Sequence, residues 1–184
     1  MNNLKGEFEA GRYEQTEDGI YFPRERMIAR GVFRVSKRGE PEEISENLIV
    51  DEGLDYFVGA AVGATSVISN WYIGLFSGDV TVLSTWTAAS FNGDATEWTN
   101  YDEANRPAWS RGAVASGGVD SFASKASFTS SADTQVARGA CLISVSTKGA
   151  VSGTLMGASR FPSDKNLDTG EILDVGYGLQ LAAV

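Results

Sequence analysis

The chain has no histidine and a single cysteine among its 184 residues, and these two absences remove much familiar enzyme chemistry. Without histidine there is no imidazole general base, no Ser-His or Cys-His nucleophile and no histidine metal ligand. The one cysteine, Cys141, has no partner for a disulfide within the chain, and its apolar neighbours predict a buried thiol that packs as a small hydrophobe. Hydrolases of those kinds are therefore excluded.

The sequence also lacks a glycine-rich phosphate loop, a dinucleotide-binding fingerprint and a cysteine cluster for zinc. No apolar run approaches the ~20 residues that cross a bilayer, and the first residues do not read as a secretory leader. We therefore expect synthesis in a reducing cytoplasm, with no cofactor and no membrane partner. Lys and Arg number 15 against 24 Asp and Glu, and the net charge of −9 disfavours nucleic-acid partners and favours solubility.

What the chain does contain is 42% apolar residues and 21 glycines, in a composition that favours strands and turns over helix bundles. Its length is sufficient for one good core. We predict a mainly β protein: an antiparallel β-sandwich or jelly-roll-like domain at residues 27–184, one short α-helix at about residues 51–63 and an extended N-terminal arm at residues 1–26.

Alternating side chains and turn residues predict where the strands lie. Residues 27–35 and 44–50 read as a hairpin around the polar turn 37–42. Four further strands follow in the C-terminal part, and they favour an antiparallel meander or part of a Greek-key sandwich. Their predicted bounds are 121–129, 136–147, 153–161 and 171–181, with residues 163–170 as a turn.

The first 26 residues are polar and are interrupted by glycine and proline, but they carry more aromatic rings than a solvating tail needs. Two interpretations stay open: a flexible leader, or an arm that becomes ordered against the domain or a neighbouring subunit. The candidate interface residues in the arm are Phe8, Tyr13, Tyr21 and Phe22.

A second aromatic-rich stretch, residues 80–111, is long for a connection between strands. Segments of this length are often functional loops, and tryptophan and arginine are enriched among the residues that dominate protein interfaces. The alternatives are that the rings cap an open end of the core and that an arginine stacks on a ring of its own domain. The candidate interface residues here are Trp86, Trp98, Arg106, Trp109 and Arg111.

Two ligand sites are weakly indicated in polar loops. Asp164, Asn166 and Asp168 alternate as calcium ligands do, but the glycine and glutamate that follow are out of register for an EF-hand, and a polar turn without an ion is the simpler explanation. Glu97 and the carboxylates at 102–103 lie among tryptophans, as in a glycan-cleaving module, yet nothing in the sequence sets a catalytic pair at the required separation. We expect no resident metal and no catalytic residue.

The most informative segment is residues 47–79, in which an apolar strand leads into a helix and then into an aromatic strand. Asp51 is placed to cap the helix, and Gly63 is placed to end it in a left-handed conformation. Residues 71–76 are bulky on both faces, which predicts a strand covered on each side. The spacing i, i+3, i+4, i+7 and i+8 predicts one core-facing stripe on the helix: Leu54, Phe57, Val58, Ala61 and Val62.

The order of residues in this segment, Asn-Leu-Ile-Val-Asp-Glu-Gly-Leu-Asp, a small-residue helix and then Trp-Tyr-Ile-Gly-Leu-Phe-Ser-Gly, resembles a group of structural proteins of tailed-bacteriophage virions. The resemblance covers about a fifth of the chain, with looser support from residues 153–181. It implies a non-enzymatic virion protein of the capsid decoration, or cement, type that binds the outer shell between capsomers. A tail- or fibre-associated protein and, from a different class, a carbohydrate-binding module stay open as alternatives.

The same resemblance implies the major capsid protein as partner and the capsid exterior of the virion as location, after synthesis in the host bacterial cytoplasm. Self-association is also implied, with a trimer at a threefold junction as the expected state. Because the helix and strand of residues 47–79 read as core-building elements, we expect the function to reside in the arm before them and in the aromatic segment after them.

Overall fold

The structure is a computed structural model that describes residues 13–15, 17–19, 21–23 and 27–183, without the side chains of 13–15 and 21–23. The chain divides into two compact units, Met1–Ala29 with Leu181–Val184, and Arg30–Gln180. In the first unit, strands β1 (Tyr13–Gln15) and β2 (Tyr21–Pro23) pair antiparallel. Residues 1–12, 16, 20 and 24–26 of the predicted arm lie outside the described part, so the extended arm stays a prediction.

From residue 27 onward the chain is mainly β, with an antiparallel, curled sheet of β-sandwich-like character, as the composition predicts. The finer jelly-roll assignment stays a prediction. No helix among the described residues has the length and apolar character to cross a membrane. In chain order the elements are β3 (Met27–Lys37), β4 (Glu43–Ile49), α1 (Asp51–Ala61), β5 (Tyr72–Phe76), α2 (Phe91–Ala95), β6 (Glu97–Trp98), β7 (Gly118–Asp120), β8 (Ala126–Thr129), β9 (Gln135–Ile143), β10 (Leu155–Leu167) and β11 (Ile172–Ala183).

Strands β3 and β4 form the predicted hairpin, with Gly31 opposite Asn47 in the register. The turn includes Gly39, whose φ of 93° would strain any residue with a Cβ. Alternate residues of β3 point into the core, and Phe33 and Val35 have no exposed surface. The period-two pattern in the sequence therefore specifies this hairpin correctly.

The four C-terminal strands do not form a meander, which was one of the two predicted arrangements, and the Greek-key alternative stays a prediction. The sheet order is β6-β5-β9-β10-β4-β3-β11-β7, with β8 also paired to β11, so the β3–β4 hairpin lies between β10 and β11. Strand β10 also continues to Leu167, through residues that the sequence assigns to a turn. Its register on β9 shifts between Arg160 and Lys165, where Pro162 cannot donate to the ladder, so the turn signal marks a bulge.

Strand β5 is covered on both sides, as its bulky sequence predicts. Ile73, Leu75 and Phe76 have no exposed surface, and the strand pairs with β9 on one edge and β6 on the other. Gly74 has no room for a side chain, because a Cβ there would lie 2.9 Å from the sulfur of Cys141. The core is therefore tightly packed where β5 pairs with β9.

Candidate functional site

Helix α1 is held to the protein by its small and polar residues. Gly53 is buried, and a Cβ at this position would lie 2.2 Å from the carbonyl oxygen of Met156 in β10. The Oε2 atom of Glu52 accepts hydrogen bonds from the backbone N–H groups of Ala88, at 2.8 Å, and Leu155, at 2.7 Å. These contacts at backbone level fix which side of the helix faces the protein.

The sequence predicts the C-terminal end of α1 correctly but not its N-terminal cap. Val50 is the N-cap residue and no side chain caps the helix, so the predicted cap at Asp51 is wrong. Asp51 lies in the first turn, where its Oδ2 atom accepts a hydrogen bond of 3.1 Å from the hydroxyl of Ser84. At the other end, Gly63 has a φ of 74°, which is the left-handed conformation that the sequence predicts.

Tyr56 fastens the loop that follows the helix, residues 62–70. Its ring packs edge-on against Trp71, with 5.3 Å between the ring centroids, and its hydroxyl accepts a hydrogen bond of 2.9 Å from the N–H of Ile68. Tyr56 is one turn beyond Gly53, so both residues lie on the inward side of the helix. Neither of them belongs to the apolar stripe that was expected to face the core.

Four members of that five-residue stripe are exposed and Phe57 is half-buried, so the prediction of a core-facing stripe is wrong for most of it. Leu54 is 43% exposed, Val58 is 65% exposed and Val62 is 72% exposed. These residues are spaced four apart, so they form a continuous ridge along one side of the helix. We call Leu54, Val58 and Val62 the outward face of α1. Val67, in the loop after the helix, is 75% exposed and adds to the apolar surface of this region.

The charges carried by the helix beside its outward face are acidic. Asp51 and Asp55 are both exposed and lie one turn apart, on the row next to the outward face. None of the ion pairs among the described residues involves either carboxylate. The sequence has no lysine or arginine between Arg38 and Arg106, so the helix and its flanking segments contribute no positive side chain.

The tryptophans of residues 80–111 are buried in the protein itself. Trp86, Trp98 and Trp109 are 3%, 3% and 6% exposed. Trp86 packs edge-on against Phe91, and the indole N–H groups of the other two rings donate hydrogen bonds within the chain. The segment therefore follows the alternative in which its rings cap the core, and these three rings offer no open face to a partner or a sugar.

Arg106 is buried in an ion pair with Glu97, and both side chains are 0% exposed. Two parallel hydrogen bonds of 2.7 Å join them, and the arginine donates a third, of 2.9 Å, to the carbonyl of Val145. Burial acts to lower the pKa of Arg106, but the hydrogen bonds and charge of Glu97 outweigh it and raise the pKa overall. This pair ties the segment to the loop after β9, and neither group is free to act as an interface or catalytic residue.

Arg111 is the exposed member of the candidate cluster in this segment. It donates a hydrogen bond of 3.2 Å to the carbonyl of Ser69, and its guanidinium carbon lies 5.8 Å from the centroid of the Trp109 ring. The residue therefore follows the alternative of an arginine that stacks on its own domain and pins a loop.

Cys141 lies in the core, as the sequence predicts. Its side chain has no exposed surface, and burial raises the pKa of the thiol to about 12. A thiol with this pKa stays protonated near neutral pH, and the thiol is the unreactive form of the side chain. The residue packs as a small hydrophobe in the manner that its apolar neighbours predict.

The residues of the weak calcium candidate are engaged separately. Asp164 and Asn166 lie within β10, and Asp164 accepts a hydrogen bond of 3.0 Å from Arg138. The Oδ1 atom of Asp168 accepts one of 3.0 Å from the N–H of Thr134. No cluster of three or more His, Cys, Asp or Glu residues suited to a metal occurs in the described part of the chain. Asp164 and Asn166 therefore belong to a bulged strand and not to the polar turn that the sequence predicts, and the described hydrogen bonds hold Asp164 and Asp168 to different partners.

Phe8, together with the side chains of Tyr13, Tyr21 and Phe22, lies outside the described residues, so their role at an interface stays a prediction. Comparison of the chain with protein-family models, with curated proteins and with solved structures finds no match.

Sequence reasoning missed the outward face of α1 because a stripe that docks a partner and a stripe that packs on a core have the same spacing. A second signal was available on the opposite side of the helix. Gly53, Gly59 and Ala60 are small, and such residues allow a helix to approach a sheet closely without burying a large side chain. A helix with small residues on one side and large apolar residues on the other can pack on a core through either side.

Proposed function

We propose that this chain is a non-enzymatic structural protein of a tailed-phage virion, of the capsid decoration type, which binds the outer shell between capsomers. Two observations support the proposal. Residues 47–79 resemble virion structural proteins of tailed phages, and helix α1 of that same segment exposes a ridge of large apolar side chains. The exposed ridge is the observation that carries the proposal.

Leaving the apolar outward face of α1 in water has a free-energy cost that a partner would remove. Burying apolar surface is favourable by roughly 25 cal/mol for each Å², and contiguous exposed apolar surface marks sites of protein interaction. The ridge is also pre-organised, because Glu52 and Gly53 hold the helix through backbone contacts. A partner that covers the ridge therefore loses little conformational entropy in ordering it.

A protein of this kind stabilises a shell without turnover. Any molecule that binds the assembled state and not the dissociated subunits shifts the equilibrium toward assembly by mass action. Repetition of the site over a symmetric shell lets modest contacts add up through multivalency, and a trimeric state would strengthen this effect. The major capsid protein is the proposed partner.

The burial of the indole rings favours this function over a carbohydrate-binding module. Such a module stacks sugar rings on exposed aromatic faces, whereas Trp86, Trp98 and Trp109 are each buried by the protein's own residues. We expect no sugar-dependent quenching of tryptophan fluorescence. A saturable response to a glycan would restore the binding module as the better function.

Cryo-electron microscopy of the virion tests the proposed function. We expect density for this chain on the outer capsid at the junctions between capsomers, with α1 against the coat protein. Density confined to the tail would instead support a tail- or fibre-associated protein. Absence of the chain from the particle would contradict both virion locations.

A further inference from the structure

Half of the 24 acidic residues of the chain lie in one stretch that carries no positive charge. Between Arg38 and Arg106 there is no basic residue, and the outward face of α1 lies inside this stretch. The exposed carboxylates of Asp51 and Asp55 are the helix's charges nearest to that face. The acidic residues of the stretch are Glu40, Glu42, Glu43, Glu46, Asp51, Glu52, Asp55, Asp79, Asp94, Glu97, Asp102 and Glu103.

The pair of exposed carboxylates on α1 is unfavourable for the chain on its own. Like charges spaced i, i+4 on a helix destabilise it, although Asp51 gains from its place in the first turn. Asp55 forms no ion pair among the described residues. Arg111 reaches toward this region through its hydrogen bond to the carbonyl of Ser69, but Ser69 lies beyond the end of the helix. A cation from outside would therefore relieve the repulsion.

We infer that the outward face of α1 docks in an apolar cleft rimmed by lysine and arginine on a different protein. The inference rests on the proposed function and specifies the chemistry of the coat surface that receives the helix. Apolar side chains would supply the buried area, and the basic rim would supply charge complementarity with Asp51 and Asp55, which fixes register and speeds encounter.

Charge argues against other occupants of this face. In a twofold contact between two copies the same patch meets itself, so each copy would bring Asp51 and Asp55 to a surface that carries the same two negative charges and no basic rim. Anionic lipid headgroups and nucleic acids would meet the same repulsion, strengthened by the net charge of −9. Self-association into a trimer would then have to use another surface of the protein.

Co-sedimentation with empty capsids that lack this chain, prepared from the phage that encodes it, tests the inference. We expect binding at 50 mM NaCl that weakens by about tenfold at 0.5 M NaCl, because salt screens exposed charge pairs and leaves apolar contacts intact. Asp55→Lys should weaken binding several-fold at low salt and less at high salt. Asp102→Lys, the same change at another exposed carboxylate of the same stretch, is the matched control and should bind as the parent does.

The possible failures are distinguishable. Binding that ignores both salt and Asp55→Lys would overturn the inference while leaving the proposed function intact. No sedimentation with capsids at any salt concentration would overturn the proposed function, and the inference with it. Self-association that Val58→Ser abolishes, measured by sedimentation velocity, would also overturn the inference, since the occupant would then be a second copy.

Discussion

The sequence of the aromatic segment 80–111 suggests an interface and that of helix α1 suggests a core element, but the rings of the segment are buried and the apolar side of the helix is exposed. The segment is rich in tryptophan and arginine, the residue types of interfaces, yet Trp86, Trp98 and Arg106 are buried inside the protein. The helix has the spacing of a core element, yet Leu54 and Val58 are exposed. Composition and spacing identify surfaces that must be covered, but only the packing of the whole chain decides whether the cover comes from the protein or from a partner.

The difference between the two regions has a physical origin in what each can satisfy internally. Arg106 finds Glu97 and a backbone carbonyl inside the protein, so its buried charge is compensated. Helix α1 is already anchored by Glu52 and by the close approach of Gly53, so its large apolar side chains are not needed to hold it. A helix fixed by small and polar residues leaves its apolar side free for binding.

The largest expected effect comes from removing a ring of the buried region. Trp86→Ala should lower the free energy of unfolding by about 3–5 kcal/mol, because it leaves a cavity in a closely packed aromatic cluster. The matched change on the exposed region, Leu54→Ala, should cost only about 0.5 kcal/mol. Urea denaturation of both variants checks the contrast. Similar losses from the two substitutions would remove the distinction between the regions.

A comparable loss is expected from breaking the buried ion pair. Arg106→Met leaves the carboxylate of Glu97 buried and uncompensated, which costs about 3–5 kcal/mol. The exposed control, Arg111→Met, should change the free energy of unfolding by only about 0.5 kcal/mol. Adding Glu97→Leu to Arg106→Met should recover part of the loss. If the two arginine variants unfold at the same urea concentration, the pair is not a structural tie.

The attachment of α1 is sensitive to a single methyl group. Gly53→Ala would bring a Cβ to 2.2 Å from the Met156 carbonyl oxygen, and overpacking of this kind costs about 1–3 kcal/mol. Gly93→Ala in α2 is the control, because a Cβ there meets no atom within 4 Å. Thermal unfolding of the two variants compares them directly. A Gly53→Ala variant as stable as Gly93→Ala would show that the helix is not held by this contact.

A smaller effect is expected on how the free energy of unfolding depends on pH. Hydrogen bonds from Lys165 and Ser163 hold the pKa of Glu43 below its ordinary value in the folded protein. The unfolded chain then binds more protons as the pH falls, so this contribution is present above the unfolded pKa and is lost below about pH 4. Glu43→Gln should flatten the dependence of the unfolding free energy on pH between about 5 and 3. An unchanged pH profile would contradict the assignment.

Much of the local structure was predictable from the sequence, because period-two alternation and turn residues are local signals. The β3–β4 hairpin, strand β5, the helix near residues 51–61 and the burial of Cys141 follow from them. The sheet order does not, since the placement of β3–β4 between β10 and β11 depends on contacts between distant residues. The turn expected at residues 163–170 became part of β10, because a bulge uses the same residue types as a turn.

The site was less predictable than the fold. The spacing of Leu54, Val58 and Val62 correctly predicts that they share one side of the helix. The prediction that this side faces the core is wrong, because an amphipathic pattern does not state what the apolar side contacts. The roles of Glu52 and Gly53 depend on the backbone of β10, which is a hundred residues away in the chain and leaves no local signal. The candidate residues of the aromatic segment were chosen by type alone, and type does not report burial.

The most direct test measures stability and capsid binding on the same pair of variants. Leu54→Ser with Val58→Ser removes two of the three apolar side chains of the outward face, and Val151→Ser, a change at a valine that is 59% exposed elsewhere, is the control. We predict that the double variant unfolds within about 1 kcal/mol of the parent but co-sediments with capsids at least about tenfold more weakly, while the control matches the parent in both. Capsid binding at the parent's level by the double variant would contradict the account.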